Sequence, residues 1–148
     1  MRLTEQAMSL SEIEAFFQTY QEAFNRLDGD AVADLWNTQS GIADSRDGQG
    51  RLTWWADDAT MRANHIALCD IYRGNGYDHA EFHIEVHQAL GADNAFAKLR
   101  WMLWRADGSM LQSFHTGYNL VRTVQGPKVL LATAYEENIQ TMKRHAAH

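Results

Sequence analysis

The second half of the chain constrains the fold most, because from residue 79 onwards it alternates between polar and apolar positions over four long segments. These segments begin near His79, Ala95, Ser109 and Lys128, and the turn sequences GADN, DG and QG separate them. Alternation with a period of two predicts β-strands, and turns this short join antiparallel neighbours. The pattern therefore predicts a four-stranded antiparallel meander.

The first part of the chain has helical periodicity instead. Ser11 and Glu14 form a capping box, which predicts the start of a helix. One apolar stripe at helical spacing follows it: Ile13, Phe16, Phe17, Tyr20, Phe24 and Leu27. The sequence Asp28-Gly29-Asp30 ends this helix and can cap a short second one. Its predicted inner face holds Val32, Leu35 and Trp36.

A short strand with a turn at Asp47-Gly48 and a third helix are expected between the second helix and the meander. The third helix is predicted from about residue 52 to residue 72, where two glycines follow. Its inward side chains are expected to be Trp55, Ala59, Ala63, Ile66 and Cys69.

Tight turns fix the register of the meander in the absence of bulges. They place Ile84 opposite Trp101, Trp101 opposite Phe114, and Tyr118 opposite Thr133. These three pairings assemble a single apolar face that we expect to be the interior: Phe82, Ile84, Val86, Leu99, Trp101, Leu103, Phe114, Tyr118, Leu120, Leu131 and Tyr135.

The opposite face of the same strands mixes charge pairs with large apolar residues. Glu85 is expected opposite Arg100, and Arg100 opposite His115. Such a face is too apolar for plain solvent and too charged for a core, so we expect a homodimer interface there. Its predicted residues are His83, Glu85, Arg100, Met102, Trp104 and His115. We expect the dimer to loosen as its histidines become charged near pH 6.

The stretch HAEFHIEVH, residues 79 to 87, holds histidine or glutamate at every second position. These residue types bind metals, but same-face neighbours on a strand lie about 7 Å apart, so three of them cannot reach one ion. The next strand offers Lys98 and Arg100 instead of a further ligand. We therefore predict no metal site, and no sequence motif implies a cofactor.

Composition limits the classes of protein to which this chain can belong. Its 148 residues are predicted to form one domain, residues 1–148, and 45% of them are hydrophobic. The net charge of -6 gives no support to nucleic-acid binding. The single cysteine, Cys69, excludes an internal disulfide, and no apolar run is long enough to cross a membrane. A cytoplasmic protein is expected.

Three segments, FFQTYQEAFNRLDGDAVADLW, SGIADSRDG and GPKVLLATAYEEN, resemble in their order and pattern the nuclear transport factor 2-like superfamily. The resemblance covers nearly the whole chain, and the superfamily includes SnoaL-like polyketide cyclases and ketosteroid isomerases. It implies an α+β fold in which three N-terminal helices wrap a curved antiparallel sheet into a cone. It also implies a pocket inside the cone and often a dimer across the outer sheet face.

The steroid isomerases use a tyrosine on the first helix as hydrogen-bond donor and an aspartate on the first strand as proton shuttle. A gap-free match places Tyr20 and Asp44 at these positions. The resemblance thus implies a catalytic pair, with Asp44 as base. The later acid that completes the isomerase site has no counterpart in HTGYNLV, where Tyr118 or Asn119 stands nearby. Asp44 has a second interpretation, as a turn aspartate or the ion-pair partner of Arg46.

The remaining candidate residues are aromatic side chains expected around a small hydrophobic ligand. They are Trp36, Trp55, His65, Trp101, Phe114, Tyr118 and Tyr135. His65 has two interpretations: it acts with Asp44 at the pocket mouth, or it is a surface histidine. Two functions remain open at this point. One is an isomerase, cyclase or dehydratase acting on a compact hydrophobic substrate; the other is a non-catalytic ligand-binding or dimeric assembly module.

Overall fold

The computed structural model describes residues 6–135 and shows an α+β fold built on a curved six-stranded sheet. The helices are α1 (Leu10–Asn25), α2 (Gly29–Ala33) and α3 (Asp58–Gly74). The strands are β1 (Trp36–Arg46), β2 (Gln49–Trp55), β3 (Tyr77–Ala89), β4 (Asn94–Arg105), β5 (Met110–Thr123) and β6 (Gly126–Tyr135). Within residues 6–135 no helix combines the length and the hydropathy needed to cross a membrane.

Helix α1 forms where its apolar stripe predicts it, and it buries that stripe against the sheet. Ile13, Phe16, Phe17 and Tyr20 are all buried, and Phe17 is completely inaccessible to solvent. The predicted cap is wrong by two residues. Ser9, rather than Ser11, precedes the helix, and its hydroxyl accepts a hydrogen bond from the backbone N–H of Glu12 at 3.2 Å.

Residues 49–55 correct the predicted extent of the third helix. They form strand β2, which pairs with β1 across the predicted turn at Asp47-Gly48. Both turn residues have positive φ, at 53° and 76°, as a two-residue hairpin turn requires. Helix α3 starts only at residue 58, where the carboxylate of Asp57 accepts a hydrogen bond from the N–H of Thr60.

The buried face of α3 also differs from the prediction. Met61, His65, Cys69 and Tyr72 face inward at helical spacing, and Cys69 alone was expected there. Ile66 is 38% exposed, and Ala59 and Ala63 are exposed as well. The inward stripe is therefore rotated by about one residue, and this rotation carries His65 into the interior.

The sheet has the strand order β2-β1-β6-β5-β4-β3. Strands β3 to β6 form the predicted antiparallel meander, whereas β1 lies parallel to β6. This parallel pair joins the first hairpin to the meander, so that one inner face extends over all six strands. Helix α1 packs on β3, and α3 packs on β1, β2 and β3.

The register predicted between β4 and β5 is confirmed. Trp101 pairs with Phe114, and Arg100 pairs with His115. A bulge occurs near the turn, between Leu103 and Trp104, but the rest of the ladder follows the predicted alternation.

The register predicted between β3 and β4 is displaced by two residues. Phe82, rather than Ile84, lies opposite Trp101, and Ile84 lies opposite Leu99. The turn accounts for one step, and a bulge between Ile84 and Val86 accounts for the other. Side chains alternate between the two faces of a strand, so a total shift of two residues leaves each side chain on its predicted face. Phe82 and Ile84 therefore still face inward, as predicted. Val86 lies beyond the bulge and is 44% exposed.

The register predicted between β5 and β6 is wrong by two residues next to the turn, where Leu120 lies opposite Val129, because the turn lies one residue earlier than predicted. A bulge between Asn119 and Leu120 then shifts the ladder by one residue, so that Tyr118 lies opposite Ala132. A single-residue shift reverses the faces of a strand. Leu131 and Tyr135 consequently face outward, and the prediction that they belong to the inner face is wrong.

Candidate functional site

A cavity of about 350 Å³ lies between the inner face of the sheet and helices α1 and α3. Eight aromatic side chains line it: Tyr20, Phe24, Trp36, Trp55, Tyr72, Trp101, Phe114 and Tyr118. Exposed Arg51, Thr53, Ala67 and Ile71 also line it and define its rim. The cavity thus has an aromatic base and an open side bounded by α3 and the β1-β2 hairpin.

Two tryptophan-tyrosine hydrogen bonds organise the base. The indole Nε1 of Trp36 donates to the hydroxyl of Tyr20 at 3.1 Å, and the indole Nε1 of Trp101 donates to Tyr118 at 2.8 Å. An indole N–H can only donate, so each tyrosine oxygen is the acceptor. The Tyr20 hydroxyl therefore keeps its own proton for donation toward the cavity.

The Tyr20 hydroxyl stays protonated at all ordinary pH values. Burial raises the pKa of Tyr20 well above its usual range, and the neighbouring Tyr118 and Tyr72 raise this pKa further. The hydrogen bond from Trp36 acts in the opposite direction and is outweighed. Tyr20 is consequently a hydrogen-bond donor and not a source of tyrosinate.

His65 is buried in the same wall with only 2% of its surface exposed. Its ring lies 4.4 Å from the ring of Trp36 and 5.6 Å from that of Trp55, centroid to centroid. Burial, with a smaller contribution from the charge of Arg62, lowers the pKa of His65 to about 4. The imidazole is therefore neutral at pH 7, with one donor and one acceptor nitrogen.

Neither ring nitrogen of His65 has a hydrogen-bond partner among residues 6–135. Buried polar groups in folded proteins are almost always paired, because an unpaired one costs about 1 to 3 kcal/mol. The imidazole of His65 therefore lies unpaired in the wall of the cavity. The interpretation of His65 as a surface histidine is wrong.

Asp44 lines the cavity near its rim, and two arginines hold it there. Its two carboxylate oxygens accept hydrogen bonds from Nε and Nη2 of Arg51, at 3.2 and 3.3 Å. Arg46 adds an ion pair at 3.5 Å. The predicted ion pair between Asp44 and Arg46 is thus present, together with a stronger partner from β2.

The hairpin turn explains why these three charges meet. Asp44 lies directly opposite Arg51 in the β1-β2 ladder, and Ile42, Asp44 and Arg46 alternate onto the inner face of β1. Opposite charges at a cross-strand position attract one another and fix the side chains. The bidentate geometry leaves Asp44 oriented along the rim, with 13% of its side chain exposed.

The structure brings together all but one of the predicted site residues. Tyr20, Asp44, Trp36, Trp55, His65, Trp101, Phe114 and Tyr118 all line the cavity. Tyr135 does not, because the shifted register turns its ring outward against His115, at a centroid distance of 5.4 Å. Their location agrees with the proposed roles, and the roles themselves stay predictions.

Arg51 is the residue at this site that the sequence analysis missed. A helix was predicted from residue 52, which hid the alternation of Arg51, Thr53 and Trp55 onto one face of β2. The signal was present, since an Asp-Gly turn predicts a partner strand of similar length on its far side.

The outer face of the meander carries a second cluster of polar residues. Glu85 lies 3.5 Å from Lys98 and 3.3 Å from His115, and His115 stacks on Tyr135. The predicted pair of Glu85 with Arg100 is wrong, because the turn and the bulge in β3 together place His83 opposite Arg100. Within the described part of the chain, no group of three potential metal ligands is assembled.

Comparison with known proteins identifies relatives of this fold. The family model described as NTF2-like protein (DUF6841) matches residues 11–137. No curated protein matches the sequence. An NTF-2 like protein of unknown function from Shewanella oneidensis is 20% identical, with 84% of this chain and 96% of that chain covered and a TM-score of 0.63.

Two further solved structures share the fold at lower identity. A ketosteroid isomerase-like protein from Erwinia carotovora atroseptica is 17% identical, with 84% and 93% of the two chains covered and a TM-score of 0.62. A domain of unknown function with a cystatin-like fold from Nostoc punctiforme is 14% identical, with 85% and 77% covered and a TM-score of 0.65. Identities this low demonstrate a common fold and nothing about a common reaction.

Proposed function

This chain belongs to the NTF2-like family DUF6841, and we propose that its interior cavity binds a compact, flat and largely apolar small molecule. We further propose that the three helices close the curved sheet into the cone that the family resemblance implies. The packing of α1 on β3 and of α3 on β1 and β2 supports this arrangement.

The observation that carries the binding proposal is an aromatic cavity with unsatisfied polar groups in its wall. Its volume of about 350 Å³ lies near the lower end of the range for ligand pockets, which favours a small molecule of two or three rings. The aromatic walls suit a flat ligand. Tyr20 and His65 offer hydrogen bonds that would orient one polar substituent on it.

We expect calorimetric titration with 2-naphthamide, a flat neutral probe, to show saturable binding at one site per chain. The variant Ala132→Phe places a ring in the cavity and should abolish binding, since Ala132 lines the cavity and is buried. Thr133→Phe is the matched control, because the neighbouring residue faces outward and is exposed.

Equal binding by both variants would contradict the proposal. Circular dichroism establishes whether Ala132→Phe folds. Ala134→Phe, nearer the open side and only partly buried, provides a second blocking variant if it does not.

A second candidate function is proton transfer on the bound molecule, as in isomerisation, cyclisation or dehydration. The presence of Tyr20 and Asp44 in one cavity favours it, with Tyr20 as donor and Asp44 as base. One relative of similar fold is a ketosteroid isomerase-like protein. The two arginines on Asp44 compete for the oxygen that a base must use, so catalysis would require one guanidinium contact to open.

Exchange of deuterium into 2-tetralone tests this second function, because the ketone exchanges protons through an enolate. If catalysis occurs, the protein should accelerate exchange above the buffer rate. Tyr20→Phe should then reduce the acceleration about 100-fold, as expected for loss of one donor to an oxyanion. Tyr77→Phe is the control, since Tyr77 is buried outside the cavity. Exchange at the buffer rate with 2-tetralone bound would leave binding as the function.

We also propose that the chain forms a homodimer through the outer sheet face, around His83, Glu85, Arg100, Met102, Trp104 and His115. Met102 and Trp104 support this, because these large apolar side chains stay only partly buried on a face that also carries charged residues. Light scattering at micromolar concentration should give twice the mass of the 16.9 kDa chain. Trp104→Glu should give a monomer, whereas Val124→Glu, at an exposed turn, should not. A wild-type monomer would refute the dimer.

A further inference from the structure

We propose that the molecule bound in the cavity is a carboxylate, whose anionic group binds Arg46 and Arg51 at the rim. This inference rests on the proposed binding function and specifies the class of ligand. The shape of the cavity alone would admit any flat apolar molecule. The charges around its open side distinguish an anion from a neutral compound.

The cavity wall carries a net positive charge. Among its lining residues, the formally charged side chains are Asp44, Arg46 and Arg51, which sum to one positive charge. His65 adds none at pH 7, since it is neutral there. Asp47 contributes negative charge near Arg51 from the turn, but it does not line the cavity. A monoanionic ligand would neutralise the wall, and a cation would increase its charge.

The two guanidinium groups also have more donors than Asp44 can satisfy. Arg51 uses Nε and Nη2 on Asp44, and this leaves Nη1 for a further acceptor. Arg46 contacts Asp44 only as an ion pair, at 3.5 Å from its buried Nε, so its terminal Nη1 and Nη2 keep donors for a further acceptor. Carboxylates match this arrangement, since guanidinium groups bind them through paired N–H donors.

Exposure places the arginines where an incoming ligand meets them. The side chains of Arg51 and Arg46 are 48% and 37% exposed, whereas that of Asp44 is only 13% exposed. Asp44 thus lies behind the guanidinium groups and orients them toward the open side. In this arrangement Asp44 acts as an internal competitor of the ligand carboxylate.

The aromatic base completes the recognition of such a ligand. Trp36 and Trp55 lie around His65 and offer ring faces to an apolar body. A carboxylate at the rim would direct the opposite end of the molecule toward Tyr20 and His65. The expected class is therefore a compact aromatic or alicyclic carboxylic acid, ionised at neutral pH.

Two probes with the same ring system separate this inference from the proposed function. We expect calorimetry at pH 7.5 and low salt to show that 2-naphthoate binds at least about tenfold more tightly than 2-naphthamide. Arg51→Gln should weaken the binding of 2-naphthoate about tenfold and that of 2-naphthamide much less. This difference between two probes cannot arise from misfolding, which would weaken both.

Asp44→Asn gives the sharpest test, because it predicts a gain. Removal of the competing carboxylate should tighten the binding of 2-naphthoate by up to about tenfold relative to the binding of 2-naphthamide. Asp47→Asn removes the same charge from the same hairpin but outside the cavity wall, so its effect should be much smaller.

The outcomes distinguish failure of the carboxylate assignment from failure of the proposed binding function. Equal affinity of the two probes in the wild type, or weaker binding of 2-naphthoate by Asp44→Asn, would overturn the carboxylate assignment. Binding of 2-naphthamide that Ala132→Phe abolishes would still support the cavity as a ligand site. If neither probe binds, the proposed function fails and the carboxylate assignment fails with it.

Discussion

The protein should lose stability as the pH falls from 6.5 to 4, and replacing His65 with phenylalanine should abolish most of that loss. In the folded protein, burial lowers the pKa of His65 from 6.5 to about 4. In the unfolded chain the imidazole is solvated and titrates near its ordinary pKa. The unfolded state therefore binds a proton in this interval that the folded state does not bind.

The sign and size of the effect follow from this difference. A histidine with a lowered folded-state pKa stabilises the fold fully above pH 6.5 and loses that contribution as the pH falls toward 4. The free energy of unfolding should decrease by about 1.4 kcal/mol per pH unit, or roughly 3 kcal/mol in total. Phenylalanine fills a similar volume between Trp36 and Trp55 and cannot take up a proton.

Urea denaturation at several pH values between 7.5 and 4 measures this difference. The comparison concerns the slope with pH, so a change in absolute stability caused by His65→Phe does not affect it. His87→Phe is the matched control, because His87 is exposed on β3 and should leave the slope unchanged. Parallel losses of stability in the wild type and in His65→Phe would show that His65 is not a buried neutral group.

Replacing Phe17 with alanine should destabilise the protein by about 3 to 5 kcal/mol, the range for a large buried aromatic side chain. Phe17 has no solvent exposure, and its ring lies 4.8 Å from that of Tyr118 and 5.0 Å from that of Phe16. It also lies 6.2 Å from Phe82 on β3. Loss of this ring would leave a void directly behind Tyr118, one of the two tyrosines at the base of the cavity.

Chemical denaturation gives the change in the free energy of unfolding for this variant. Leu10→Ala on the same helix is the control, because Leu10 is 38% exposed and should cost less than about 1 kcal/mol. Similar losses for the two variants would show that α1 does not pack through Phe17. Binding of 2-naphthamide should also weaken in Phe17→Ala, since Tyr118 loses its support.

Strand pairing could be predicted from the sequence where the alternation was strong and the predicted faces survived the bulges. Between β4 and β5 the pairing of Trp101 with Phe114 is correct. Between β3 and β4, two shifts of one residue add up to two residues, which leaves each side chain on its predicted face. Phe82 and Ile84 therefore face inward although their partners differ from the prediction. The inward side of a strand is thus more predictable than its exact partner.

Bulges could not be predicted, because no residue pattern in this sequence marks them. The bulge between Asn119 and Leu120 exchanges the inward and outward faces of residues 131–135 in β6. It places Ala132 and Ala134 at the cavity instead of Leu131 and Tyr135. The consequence is functional as well as geometric. Two small residues leave open a space that a leucine and a tyrosine would have occupied.

Helix α3 shows the limit of periodicity for a half-polar helix. The sequence offered several small and apolar residues as an inner stripe, and the structure chooses Met61, His65, Cys69 and Tyr72. A histidine was not expected inside, since a buried imidazole without a partner is costly. The prediction of the buried face therefore fails for this helix, because α3 faces a cavity lined by side chains with polar ends rather than a fully apolar core.

The candidate site was predictable as a set of residues and not as a set of interactions. Tyr20 and Asp44 could be selected by resemblance, and both line the cavity. The bidentate contact of Arg51 with Asp44 depended on β2, which the sequence analysis had assigned in part to a helix. Because of that contact, Asp44 is not an isolated carboxylate. It belongs to a cluster with Arg46 and Arg51 that carries one net positive charge.

The most direct test of the central claim is a crystal structure of the protein grown with 2-naphthamide. We predict density for the ring system inside the cavity, packed against Trp36 and Trp101, with the amide within hydrogen-bonding distance of Tyr20 or His65. A cavity without this density, or a probe bound only on the outer sheet face at a concentration that saturates the calorimetric signal, would contradict the assignment of this cavity as the ligand site.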